Sequence, residues 1–183
     1  MQEILQCDKS LLYWINSHHY PALDALLYPI SLVGELGIIW FAICLVMLIL
    51  GRPGQRKAAV IILIAMVVVD RAIGSPLGHW FYRERPYLAL EGIRQMGHEW
   101  PGSSFPSGHA SNVWVATIIL RNRWPKLTMP LVAFAILTCY SRPYFGMHYP
   151  LDVIIGAVLG LAAGYATLAI ESYWKHKSES RQK

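Results

Sequence analysis

The run PLDVIIGAVLGLAAGYATLAIESYW, residues 150–174, constrains this chain more than any other feature. Crossing the hydrocarbon core of a bilayer takes roughly 20 mostly apolar residues in a helix, because lipid offers no partner to an unpaired backbone N–H or C=O. Residues 25–50 and 56–82 also reach that length. Two shorter apolar runs, 107–120 and 127–141, are expected to be spans that begin below the interface and so leave a recess on one side. Ordinary tilt or local bilayer thinning is the alternative for them. The sequence GELG at 34–37 predicts a kink in the first span. The expected fold is therefore all-α, a polytopic membrane bundle of five to six helices, and one domain over residues 1–183. Composition agrees: 15% of residues are charged and 55% hydrophobic, whereas soluble domains carry about 25% charged residues.

The N-terminal piece DKSLLYWINSHHYPALD is too short to span. Its Tyr13, Trp14 and Tyr20 predict an interfacial helix, with a buried sixth helix as the alternative. Early Glu3 and Asp8, with no long apolar run after them, do not read as a signal peptide. The scattered Cys7, Cys44 and Cys139 show no metal or disulfide spacing.

The net charge of +5 does not read as nucleic-acid binding, because the basic residues lie between apolar runs instead of forming one stripe. Arg52, Arg56 and Lys57 follow the first span, Arg121, Arg123 and Lys126 the third, and Lys175, Lys177, Arg181 and Lys183 the fifth. If each span crosses once, these gaps share one side, which the positive-inside rule makes cytoplasmic. The N-terminal segment, the loop 83–106 and the turn 142–149 then share the opposite face. Gly156, Gly160 and Gly164 form two overlapping G-x-x-x-G patterns, expected to pack closely on a neighbouring helix, with a dimer face as the alternative.

The unusual polar residues all fall on that second face. RERPY brings Arg83 and Arg85; FPSGH brings Ser107, Gly108 and His109; SRPYFGMHYPLD brings Ser141, Arg142, His148 and Asp152. Arginine presents a fork of fixed donors suited to phosphate oxygens, although a single arginine here could simply snorkel to the interface. PSGH reads as a turn into a helix whose first free N–H groups attract an anion. Ser107 fits there as an N-cap or as a further donor, and Gly108 lets a ligand approach the backbone. His148 and Asp152 stand four apart, so one helical turn could bring the carboxylate to the ring and leave the other ring nitrogen nucleophilic. Separately, each has a plain explanation: an interfacial histidine, and an Asp capping a helix. If His148 attacks phosphorus and His109 protonates the leaving oxygen, the two need opposite protonation states, and the pH profile is bell-shaped.

Together these residues resemble the type 2 phosphatidic acid phosphatase (PAP2) family, the membrane relatives of vanadium haloperoxidases and bacterial acid phosphatases. The family pattern is Lys-x6-Arg-Pro, then Pro-Ser-Gly-His, then Ser-Arg-x5-His-x3-Asp. The last two are complete here, at 106–109 and 141–152, and the resemblance covers roughly residues 70–165. It implies a lipid phosphatase without metal or other cofactor, in a bacterial cytoplasmic membrane, with its site facing the periplasm and a lipid phosphate as its partner. The candidate substrates are phosphatidylglycerophosphate, undecaprenyl pyrophosphate, phosphatidic acid and lipid A 1-phosphate. His148 would become a phosphohistidine, Asp152 would orient it, and His109 would serve as acid and then base. Arg85, Arg142, Ser107 and Gly108 would hold the phosphoryl oxygens.

One position departs from the pattern: the family lysine falls at Gly78. Arg83 is the expected substitute for its phosphate contact, ahead of Arg71, which lies over three turns before Arg85; Asp70 is expected to partner Arg71. The loop 87–105, with Glu91, Arg94, His98, Glu99 and Trp100, is expected to shape headgroup choice unless it is merely solvated. A phosphotransferase using the same intermediate, a vanadate-dependent oxidant and a small transporter remain as alternatives.

Overall fold

The computed structural model describes residues 2–34 and 37–180, and these are helical with connecting turns. The helices are α1 (Gln2–Ser17), α2 (Pro21–Gly34), α3 (Ile38–Leu50), α4 (Pro53–Val67), α5 (Ser75–Trp80), α6 (Pro86–Ala89), α7 (Gly108–Arg123), α8 (Thr128–Tyr144) and α9 (Pro150–Ser180). A π-helical segment, Val68–Gly74, joins α4 to α5 without a break, so Pro53–Trp80 runs as one long apolar helix.

Among the described residues, Pro53–Trp80 and Pro150–Ser180 are each long and apolar enough to cross a membrane. The pair α2 and α3 makes a third if it counts as one bent span, its two helices differing in direction by 60°. The expected kink in GELG falls partly on residues 35 and 36, which lie outside the described residues. The short apolar runs do form helices, α7 of 16 residues and α8 of 17. At 1.5 Å per residue, α7 covers about 24 Å, less than the roughly 30 Å of a hydrocarbon core.

The π-helical turn was not legible in the apolar pattern, but it has a local cause. Pro76 has no N–H, and in a regular helix its ring would press on the carbonyl four residues back. Just before it the ladder widens: the Ser75 N–H bonds to the Asp70 carbonyl, five residues back. Wide turns of this kind recur at functional sites, and this one carries Asp70 and Arg71.

Helix α7 forms the centre of the bundle. Val113, Val115, Ala116, Ile119 and Leu120 are buried against Trp40 and Cys44 of α3, Ala59, Ile62 and Met66 of α4, and Ala135 of α8. In lipid, helices gain little from leaving one apolar surrounding for another, so close packing decides association. The glycine stripe of α9 supplies it. A Cβ on Gly156 would collide with the Ser107 carbonyl, and one on Gly160 with the Ser111 carbonyl; at Gly164 it would lie 2.8 Å from Ile118 Cβ. The stripe seats α9 on α7, which brings the start of α9 beside the start of α7.

A second apolar cluster, Ile15, Leu27, Tyr144, Phe145 and Met147, gathers α1, α2 and the end of α8. Helix α1 leaves Tyr13 and Trp14 exposed and buries Asp8, Leu12, Ile15 and Asn16.

Candidate active site

Three helix connections meet at one end of the bundle: the segment before α7, the turn between α8 and α9, and the stretch between α5 and α6. His148 sits in the tight turn 145–149 and is 3% exposed. Its Nδ1 lies 2.7 Å from the main-chain oxygen of Ser104. A carbonyl only accepts, so Nδ1 carries the proton, and the lone pair resides on Nε2. That Nε2 faces Nη1 of Arg85 at 3.3 Å. Burial above all, then the charges of Arg142 and Arg85, holds the His148 imidazole well below its ordinary range.

The expected direct bond between Asp152 and His148 is not formed. Oδ2 of Asp152 stands 3.9 Å from Nδ1, within ion-pair range but beyond hydrogen-bond distance. The reason is competition for the carboxylate. Oδ2 accepts the Tyr149 N–H at 3.0 Å, and Oδ1 accepts Nη1 of Arg83 at 2.8 Å. Asp152 therefore caps the start of α9, the plainer of the two roles its position suggested, and it faces the histidine from one side.

His109 occupies the first turn of α7, and its ring centroid is 6.4 Å from that of His148, with the ring planes at 61°. Its Nε2 is buried without a hydrogen-bond partner among the described residues. An attacking atom sits about 3–3.5 Å from its target, and a proton donor about 2.6–3.2 Å from the oxygen it serves. Both rings thus border the same space, from which a nucleophile and a proton donor could each reach one phosphoryl group.

Both expected phosphate arginines are here. Arg85 is 9% exposed and also donates to the carbonyls of Met147 at 3.2 Å and Ser103 at 3.3 Å. Arg142 is 1% exposed, and its Nη1 donates to Ser31 Oγ at 2.7 Å. Ser107 occupies the N-cap position of α7, but its side chain makes no cap bond. Its N–H donates to the Asp152 carbonyl at 3.0 Å, and its buried hydroxyl has no partner among the described residues. Arg85, Arg142, Gly108, His109 and His148 all line one cavity of about 1020 Å³. Phe41, Met66, Val67 and Leu159 make its wall partly apolar.

Arg83 differs from its expected role at the phosphate. Its guanidinium is committed to Asp152 and to Asp8 of α1, and it is not among the cavity-lining residues. The missing lysine has a steric cause. A Cβ on Gly78 would lie 2.7 Å from the Phe105 carbonyl, so the segment before α7 runs where a side chain would start. Of the two arginines considered in place of the lysine, the one that lines the cavity is Arg71, on the π-helical turn, with His79 further along. Asp70 pairs with Arg71 at 3.6 Å, and its Oδ1 is 3.1 Å from where a Gly108 Cβ would be. The π turn therefore lies level with the start of α7, which sequence distance from Arg85 concealed.

The loop before α7 is tied down at Arg94 and Trp100, while Glu91, His98 and Glu99 are exposed. Arg94 forms a two-pronged pair with Asp24 at 2.9 and 2.7 Å. Asn16 bonds both the N–H and the carbonyl of Arg94, at 2.8 and 2.9 Å. Trp100, which lines the cavity, donates its main-chain N–H to the Tyr87 hydroxyl oxygen at 3.1 Å.

Comparisons with known proteins show what the chain resembles. The chain is 28% identical over 149 residues to the undecaprenyl-diphosphatase BcrC of Bacillus subtilis, covering 81% of this chain and 75% of that one. It is 29% identical over 172 residues to a lipid A 4'-phosphatase of Bacteroides thetaiotaomicron, covering 86% and 74%. The crystal structure of Aquifex aeolicus LpxE superimposes with a TM-score of 0.74 and 25% identity, over 87% of this chain and 93% of that one. Residues 58–176 match the PAP2 superfamily, and with both complete motifs converging on one cavity, the chain belongs to that superfamily.

Proposed function

We propose that the protein is a membrane lipid phosphatase that hydrolyses a lipid phosphate or diphosphate through a phosphohistidine on His148. The observation that carries this reading is the facing pair of rings, 6.4 Å apart, in a cavity that also presents Arg85 and Arg142. The names of the relatives, an undecaprenyl-diphosphatase and a lipid A 4'-phosphatase, support a lipid substrate. So does the apolar part of the cavity wall, which suits a hydrocarbon chain beside the headgroup.

In the first step the lone pair on His148 Nε2 forms a bond to the terminal phosphorus while the bond from that phosphorus to its leaving oxygen breaks, the lipid oxygen in a monophosphate or the bridging oxygen of the departing lipid phosphate in a diphosphate. His109 gives its proton to that departing oxygen. In the second step water adds to phosphorus, its proton passes to His109, and the P–N bond breaks to release inorganic phosphate. Arg85 and Arg142 neutralise the phosphoryl oxygens, and the Gly108 amide adds a neutral donor; Ser107, buried and not on the cavity wall, is a donor only if the wall shifts. Fixed charge and positioning supply most of the acceleration. The cationic gaps at 52–57, 121–126 and 175–177 support, by the positive-inside rule, a site on the non-cytoplasmic side of the membrane.

The test is phosphate release in detergent from a panel of lipid phosphates and diphosphates, by the wild type and His148→Ala. Release by the wild type and none by a folded His148→Ala supports the reading. Full turnover without the ring ends it, and transfer of phosphate to a lipid hydroxyl in place of water would identify a phosphotransferase.

A further inference from the structure

Arg83 lies behind the nucleophile. Its Nη1 reaches Asp152, its Nη2 reaches Oδ2 of Asp8 at 2.5 Å, and its guanidinium carbon stacks 3.5 Å from the centre of the Tyr149 ring. Asp8 comes from the other end of the chain, on α1. Its second oxygen, Oδ1, accepts the Leu151 N–H at 2.8 Å. The Asp8 side chain is 1% exposed and that of Asp152 0%. The first N–H groups of a helix have no partner within it. At the start of α9 the Tyr149 N–H is met by Asp152 and the Leu151 N–H by Asp8. The residues on both flanks of the turn after His148 are thus tethered to one buried cluster that α1 completes.

Resting on the phosphatase reading above, we infer that Asp8 is a positioning residue for His148, so that docking of α1 is a condition for turnover. Two buried carboxylates share a single guanidinium here. Only the planar fork of arginine bridges them with separate nitrogens; a lysine ammonium at the same position is a point charge on a different reach. Without Asp8, Arg83 loses one of its two anchors and Leu151 its acceptor. The turn that aims His148 Nε2 then loosens, and a misplacement of about 1 Å at a reacting atom costs on the order of 100-fold in rate. Asp8 touches neither of the histidines, and the cavity wall does not include it, so substrate affinity should stay nearly unchanged.

The experiment measures kcat and KM on a lipid phosphate in detergent for Asp8→Ala, Asp8→Asn and Arg83→Lys, with kcat expressed per folded molecule from the melting profile. Asp8→Ala and Arg83→Lys are expected to lose about 10- to 100-fold in kcat, with KM within about threefold of wild type. Asp8→Asn retains an oxygen for Leu151 and should lose less. The double variant Asp8→Ala/Arg83→Lys should lose no more than the worse single one, since both break the same tether. If Asp8→Ala does not fold, Asp8→Asn and Arg83→Lys decide the matter by the same measure. Wild-type kcat per folded molecule in these variants, or losses that multiply in the double variant, would overturn the inference and leave Asp8 a purely structural residue. His148→Ala is the control: if it keeps turnover, the phosphatase reading fails and this inference with it.

Discussion

Nδ1 of His148 lies 2.7 Å from the main-chain oxygen of Ser104 and 3.9 Å from the carboxylate of Asp152. The tautomer of the ring is therefore set by a backbone carbonyl, which no side-chain substitution removes. In a triad where a carboxylate alone sets the tautomer, its amide replacement costs about 10⁴-fold. Here Asp152→Asn should cost less, about 10- to 100-fold in kcat, because Ser104 still holds Nδ1–H. Steady-state kinetics of Asp152→Asn beside His148→Ala checks this; equal, complete loss in both would show that the carboxylate sets the ring after all.

The pH profile follows from the surroundings of His148. Burial and the neighbouring Arg142 and Arg85 depress its protonation below the ordinary value of 6.5. A depressed value means that the neutral, nucleophilic ring persists as pH falls through 6.5, and that the rate is lost only further down. The acid limb of kcat/KM, which reports the free enzyme, should lie below pH 6.5. Arg142→Gln removes a positive neighbour and should move that limb upward, alongside a lower rate. A limb that stays in place in that variant would count against this assignment.

Gly160 touches the backbone of Ser111, where there is no side chain to give way. Gly160→Ala should therefore push α9 from α7 and destabilise the fold by about 1–3 kcal/mol, the usual cost of overpacking. It should also slow turnover, because a shift of α9 on α7 would move the start of α9, next to His148, relative to His109 at the start of α7. Thermal melting in detergent, read with kcat, tests both; an unchanged melting temperature would mean that the two helices are not held at this separation.

Restoring the family lysine should not help. Gly78→Lys places a Cβ against the Phe105 carbonyl and should lower stability and activity together. Arg71→Ala should instead raise KM by several-fold with a smaller change in kcat, since Arg71 lines the cavity, is 81% exposed and only loosely paired with Asp70. Kinetics on the two variants separates these outcomes. Arg71→Ala with unaltered KM would remove it from the substrate path.

The sequence by itself determined the class of fold and the family to which the chain belongs. Apolar runs too long for a soluble core, cationic gaps between them, and two complete motifs are all local patterns, and local patterns survive in a linear reading. The glycine stripe likewise showed its packing role, because small residues at helical spacing permit only close approach. Only the tertiary structure decided which groups meet. The Ser104 carbonyl that holds His148 has no side-chain signal. The diversion of Arg83 from the phosphate to Asp8 and Asp152 depends on how α1 docks, a contact between positions 75 residues apart. The loss of room at Gly78 and the height of Arg71 in the cavity depend on the path of the segment before α7 and on the wide turn before Pro76. A charged group takes the nearest partner that folding provides, and which partner is nearest is a property of the packed helices, not of spacing along the chain.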